Sequence, residues 1–150
     1  RGTAAIFTAP SARVLVVDDM PSNIVVVEGL IAPCQMKVDH CSSGEEALRM
    51  VKAQEYDLIF MDHLMPGMDG IEATVAIRAM EGERFKTLPI VALTANAMAG
   101  MKQVFLDSGF NDYLAKPVEA QKLNAMLWKW IPEEKRESLL DKPRPSGYSL

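Results

Sequence analysis

Cysteine is scarce in this chain of 150 residues: there are two, Cys34 and Cys41. They form no C-x-x-C pair and have no metal-ligand partner set, which sets aside a zinc site or a disulfide scaffold and leaves free thiols in a reducing compartment. No apolar run approaches the roughly 20 residues that cross a bilayer, and no secretory leader is visible. The expectation is therefore a cytoplasmic domain without direct membrane contact. No basic cluster stands out and the net charge is -4, so binding of nucleic acid by this chain is not expected. There are no repeats and no low-complexity tracts. The chain begins at Arg1 rather than Met, which suggests a piece of a longer protein.

The composition is that of a folded domain: 49% hydrophobic and 24% charged. Residues 1–12 are small, polar and unpatterned and read as linker. The patterned domain spans 13–131. From Pro132 the pattern fades, and 132–150 read as a tail or linker, with Lys142, Pro143, Arg144 and Pro145 at its centre.

Five short apolar runs read as strands: Arg13–Val17, 36–41, 57–62, 89–94 and Asp112–Ala115. Helical stretches alternate with them. The first runs through 24–31 after Pro21, with Gly29 weakening it slightly. The second is expected to start at a capping box, Ser42 with Glu45, and to carry Ala47, Leu48, Met50 and Val51. Asp69 caps the third, where Ile71, Thr74, Val75 and Arg78 show helical spacing. A polar break covers 81–84. The fourth helix covers 97–106, closed by Ser108 and Gly109, and the last covers 119–131 with Leu123, Met126, Leu127 and Trp130 on one face. Alternation of this kind predicts an α/β fold, a doubly wound five-stranded parallel sheet with helices on both faces.

Four of the strands end in polar residues. Asp18 and Asp19 follow the first, Asp62 ends the third, Thr94 the fourth, and Lys116 follows the fifth. In a parallel sheet these ends share one edge, where open α/β sheets carry their sites. Each residue alone has a plain reading as a turn former, helix cap or surface lysine. Together they make a coherent centre. Three carboxylates in one pocket repel one another and call for a cation, and oxygen-only ligands select a hard one, Mg²⁺. Lys116 and Thr94 add a positive charge and a hydroxyl. This is the equipment of phosphoryl transfer, with Asp62 as nucleophile. A flavin binder would need a phosphate-cradling loop where Asp18 and Asp19 stand. A haloacid-dehalogenase-type phosphatase would need D-x-D there.

The strings V-L-V-V-D-D, M-D-H-L-M-P-G-M-D-G, V-A-L-T-A-N and D-Y-L-A-K-P, in that order, resemble the receiver domain of two-component response regulators across residues 13–131. The resemblance implies a flavodoxin-like (βα)5 sheet of strand order 2-1-3-4-5. It also implies a phosphoacceptor at Asp62, fed by a sensor histidine kinase or a histidine phosphotransfer domain, and a domain that catalyses only its own phosphorylation and dephosphorylation. Asp19 would bind Mg²⁺ directly and Asp18 through water, with the Leu64 backbone carbonyl as a further ligand. Thr94 would be the switch hydroxyl, Lys116 would hold the phosphoryl group, and Lys116–Pro117 matches a bond often held cis. Tyr113 falls at the switch aromatic; on its residues alone it reads equally as a static strand residue. The face of helix four, strand five and helix five would change on phosphorylation and could form a homodimer. The strings T-A-N-A-M and N-D-Y-L-A-K-P look most like receivers of hybrid sensor histidine kinases. A stand-alone regulator and a non-phosphorylated pseudo-receiver are the alternatives.

Two histidines invite a role. His63 could be a metal ligand or proton donor, but neighbouring strand positions point to opposite sides, so it reads as a loop-edge residue tuning access. His40 reads as structural. By the resemblance, Leu64 and Asn96 sit where phosphate lifetime is tuned. An apolar Leu64 cannot hold an attacking water, so slow self-dephosphorylation is expected.

Overall fold

In the computed structural model, which describes residues 7–138, the elements run in the alternating order expected, with additions at both ends. Strand β1 is Phe7–Thr8 and β2 is Arg13–Val17. Helix α1 (Pro21–Ile31) follows, then β3 (Lys37–Cys41), α2 (Gly44–Ala53) and β4 (Leu58–Asp62). Next come α3 (Gly70–Arg78), the short α4 (Glu83–Thr87), β5 (Ile90–Thr94), α5 (Ala99–Ser108), β6 (Asp112–Ala115), α6 (Ala120–Trp130) and β7 (Glu137–Ser138). Five strands form one parallel sheet of order β3-β2-β4-β5-β6. Without the small β1, this is the order 2-1-3-4-5.

The sheet has two cores because side chains alternate across it. Val14, Val16, Leu58, Phe60, Val91, Leu93 and Leu114 pack with Ile24, Val27 and Ile31 of α1 and Leu123 and Leu127 of α6. Leu15, Val17, Ile59, Met61, Ile90 and Ala92 pack on the other side with Ala47 and Val51 of α2, Ala73 and Ile77 of α3, and Phe105 of α5. Every residue of β4 and β5 is buried. That is why these strands read as continuous apolar runs.

Several local expectations shift. Helix α2 is capped by Ser43, whose Oγ accepts from Glu46 N at 3.1 Å, rather than by Ser42 with Glu45. Glu46 instead takes the Ser42 N–H at 3.1 Å. Asp69 caps α3 as read, and the structure completes a capping box there, with Asp69 and Glu72 each accepting the other's N–H. Its core face, however, is Gly70, Ala73, Thr74 and Ile77, while Val75 is exposed. Part of the polar break is helical, and α4 buries Phe85. His40 is largely exposed and pairs with Glu28 at 2.8 Å.

The larger correction concerns the ends. Residues 7–12 and 132–138, read as linker and tail, are joined to the domain. Phe7 and Thr8 pair antiparallel with Ser138 and Glu137. Phe7, Ala9 and Ala12 are fully buried in the α1–α6 core. A two-residue strand has no periodicity to read, and its partner lies about 130 residues away in the chain, so no local pattern announces it. The remaining linker and tail residues, 1–6 and 139–150, lie outside the described part.

Candidate phosphoryl-transfer site

The parallel register brings the strand ends together. Val17 lies opposite Met61, Asp62 opposite Leu93, and Thr94 opposite Ala115. Alternation then sorts the polar residues beyond. Asp18, Asp62 and Lys116 continue the parity of Val16, Phe60 and Leu114, all on the α1–α6 side. Their side chains meet. Lys116 Nζ donates to Asp62 Oδ1 at 2.7 Å and lies 3.1 Å from Asp18 Oδ2. The second contact is an ion pair without a well-aligned hydrogen bond, which leaves Asp18 Oδ2 buried with unused acceptor capacity. Asp18 Oδ1 is committed elsewhere: it accepts from Met20 N at 2.9 Å and Asn23 Nδ2 at 3.4 Å. The Lys116–Pro117 bond is cis.

Asp18, Asp19 and Asp62 each offer one carboxylate oxygen to a common point, the three lying within 4.8 Å of one another. Asp18 and Asp62 are buried and Asp19 is half-buried. Three negative groups so close, faced by one lysine, carry an excess of negative charge. The all-oxygen donor set and the Asp18 oxygen without a hydrogen bond fit Mg²⁺, which favours carboxylates and retains waters.

The electrostatics record the same imbalance. Burial pushes the Asp62 carboxyl up to about 6; the hydrogen bond from Lys116 opposes that rise, and the Asp18 charge adds to it. Burial lowers the Lys116 ammonium, but its contacts with the Asp62 and Asp18 carboxylates outweigh this and hold it above its ordinary value.

Thr94 is buried at the end of β5, and its hydroxyl is turned to its own loop. Oγ1 accepts from Asn96 N at 2.9 Å and donates to Asn96 O at 3.1 Å. Leu64 has an exposed side chain. Tyr113 is half-buried beside the ring of Phe105, at 6.0 Å between centroids. The cluster thus unites Asp18, Asp19, Asp62 and Lys116, with Thr94 adjacent and Tyr113 one layer away.

His63 departs from the loop-edge reading. Its N–H continues the ladder to Leu93 O at 2.8 Å, so it sits beside Thr94, and Nδ1 lies 3.2 Å from Thr94 Oγ1. The ring stands edge-on to Phe105 at 4.9 Å. Burial lowers its pKa. The signal was parity: His63 follows Ile59 and Met61, and Thr94 follows Ile90 and Ala92, all on the α5 side.

The sequence profile of the response regulator receiver domain family matches residues 14–128. Sensor protein GacS of Pseudomonas syringae pv. syringae is 44% identical over 136 residues; the match covers 85% of this chain and 15% of GacS. The chain therefore spans under a fifth of that relative. Among solved structures, the receiver domain of the sensor histidine kinase PA1611 from Pseudomonas aeruginosa PAO1, with a magnesium ion coordinated in its active site cleft, superposes with a TM-score of 0.73 at 40% identity. That match covers 81% of this chain and 98% of the PA1611 domain. A further match lies in the Saccharomyces cerevisiae complex of the histidine phosphotransfer protein Ypd1 with the receiver domain of its downstream response regulator Ssk1. Its TM-score is 0.75 at 30% identity, over 89% of this chain and 96% of that one.

Proposed function

This chain belongs to the response regulator receiver domain family, and we propose that within it Asp62 is the residue that takes the phosphoryl group. The observation that carries this reading is the cluster of buried Asp18 and Asp62 with half-buried Asp19, and Lys116 Nζ 2.7 Å from the Asp62 carboxylate.

The chemistry follows from the residues. With its carboxyl titrating at about 6, Asp62 is mostly ionised at neutral pH and available as a nucleophile. An Asp62 oxygen attacks phosphorus while the bond from phosphorus to the donor nitrogen of a phosphohistidine breaks; the imidazole leaves, and an acyl phosphate remains on Asp62. Lys116 is already hydrogen-bonded to Asp62, so it can follow charge from the carboxylate onto the phosphoryl oxygens without being recruited from solvent. Asp18, Asp19 and Asp62, with the Leu64 carbonyl, would hold Mg²⁺, which when bound supplies positive charge against those oxygens. Thr94 would turn from Asn96 to the phosphoryl group, and the surface of α5, β6 and α6 around Tyr113 would respond. New contacts that exist only in the phosphorylated state are what shift such an equilibrium.

The donor would be a sensor histidine kinase or a histidine phosphotransfer domain, supported by the GacS likeness and by the Ypd1 complex. The parent would be a hybrid histidine kinase with this domain on its cytoplasmic side. Among the described residues no helix is long and apolar enough to cross a membrane.

Intact mass after incubation with Mg²⁺ and acetyl phosphate tests the reading. One phosphoryl adduct is expected, lost with EDTA and absent in Asp62→Asn. An adduct that persists in Asp62→Asn would move the acceptor elsewhere.

A further inference from the structure

The Thr94 hydroxyl is saturated in this conformation. A hydroxyl has one proton to give and two lone pairs to offer. The proton goes to Asn96 O, one lone pair takes Asn96 N–H, and the remaining lone pair is left for His63 Nδ1 at 3.2 Å. With the hydroxyl donating to Asn96 O, the contact with His63 requires the imidazole proton on Nδ1. Thr94 therefore has no bond in reserve for a new group on Asp62. It must give up existing ones to reach it.

Of the three bonds, two are made by the backbone of Thr94's own loop. His63 is the side-chain partner, and it comes from β4, directly after the acceptor. Its other neighbours include an aromatic ring and the Asp69 carboxylate, whose charge opposes the lowering of the imidazole pKa by burial. The ring stands at 89° to Phe105, which is fully buried, and Phe105 lies against both Phe110 and Tyr113. One imidazole thus touches the Thr94 hydroxyl and the aromatic of α5 that packs on Tyr113. A metal-ligand role does not suit it, since Nδ1 is engaged by Thr94 and the ring lies on the sheet side opposite the Asp18–Asp62–Lys116 cluster.

We propose that His63 is a positioning residue: it holds Thr94 in the resting orientation and ties its release to Tyr113 through Phe105. The inference rests on the reading of Asp62 as phosphoacceptor. When Thr94 leaves, Nδ1–H loses its acceptor, and a ring that turns to find another moves against Phe105, which stands edge-on to it. A contact that favours one state opposes the other by the same free energy, so weakening the His63–Thr94 bond makes activation easier.

The test uses the full chain with Mg²⁺ and beryllofluoride as the phosphoryl mimic. His63→Phe keeps a ring against Phe105 and removes Nδ1. Phe105→Leu keeps Nδ1 and removes the ring edge. Carbon-13 methyl signals report Thr94, and a fluorotyrosine signal reports Tyr113. His63→Phe is expected to move the resting Thr94 methyl signal toward its beryllofluoride-saturated position. It should also lower the half-saturating beryllofluoride concentration roughly fivefold, the worth of one net hydrogen bond. Phe105→Leu should leave the resting Thr94 signal in place and shrink the Tyr113 response. An unmoved Thr94 signal with unchanged half-saturation in His63→Phe overturns the proposal, and so does a weakened response, which would make His63 a support of the active state. In the unsubstituted chain, nitrogen-15 spectra of the imidazole should show a protonated Nδ1 whose shift changes on saturation; a shift that stays constant also overturns it. If the unsubstituted chain shows no Asp62-dependent response at all, the phosphoacceptor reading fails, and this inference with it.

Discussion

At Asp62 two demands conflict. Its burial disfavours charge, while the role of nucleophile proposed for it requires charge. A carboxyl whose folded pKa lies above its unfolded value binds protons more tightly in the folded state. Its contribution to stability is therefore fully present at low pH and declines as pH rises from the ordinary carboxylate range to about 6. Without metal, Asp62→Asn should melt higher than the unsubstituted chain at pH 7, by at most about 3 kcal/mol, and the gap should close toward pH 4. Mg²⁺ needs the ionised carboxylate, so its binding competes with the proton. Calorimetric titration should show Mg²⁺ affinity falling roughly tenfold between pH 7 and pH 5, as the proton occupies Asp62. Affinity flat across this window would mean that Asp62 stays ionised well below pH 6.

Two helices show opposite margins. Helix α1 carries Gly29 on an exposed turn, and a Cβ built there meets nothing within 4 Å. Gly29→Ala should raise unfolding free energy by about 0.5–1 kcal/mol, read as a higher urea midpoint, with the acetyl phosphate adduct unchanged. Helix α3 has no such slack. Gly70 at its start would drive a Cβ into the Asp62 carbonyl. Its last residue, Arg78, is the joint between elements. Nε and Nη2 both donate to Gly109 O, Nη1 donates to Phe85 O, and Nη2 also reaches Asn111 Oδ1. Asn111 Oδ1 in turn accepts the Ile90 N–H at the start of β5. A planar fork makes these bonds; an ammonium cannot reproduce them. Arg78→Lys should cost about 2 kcal/mol in urea unfolding, although the charge is kept.

Across the molecule, the two ends of the described chain close on one another at the pole opposite the carboxylate cluster. Phe7 stands edge-on to Trp128 at 5.3 Å, and Arg136 lies 4.1 Å over the same indole. Lys135 pairs with Asp57 at 2.9 Å, just before β4, and Asp57 also takes the Arg13 N–H at the start of β2. Most of the hold is Phe7, which is fully buried, since half-exposed ion pairs contribute little. Phe7→Ala should lower unfolding free energy by about 3 kcal/mol in urea titration, while Lys135→Ala should cost under about 1 kcal/mol. If Phe7→Ala is nearly neutral, the N-terminal strand is an ornament of the fold rather than part of its core.

The sequence by itself determined the alternation of strands and helices, the buried character of β4 and β5, and the presence of Asp18, Asp19, Asp62, Thr94 and Lys116 at strand ends. These are local properties, written in runs of apolar residues and in the turn formers that stop them. Helix caps were legible to within a residue: Asp69 as read, Ser43 one place from Ser42. Only the tertiary structure decided which polar groups touch. Lys116 meets Asp62 across 54 positions because β6 and β4 lie on either side of β5 in one parallel register. His63 meets Thr94 because that register sets two residues of equal parity side by side on adjacent strands. Parity is printed in the chain, but register is not. The same holds for the terminal clasp, where a two-residue strand has no period of its own and gains its structure from a partner at the far end of the chain.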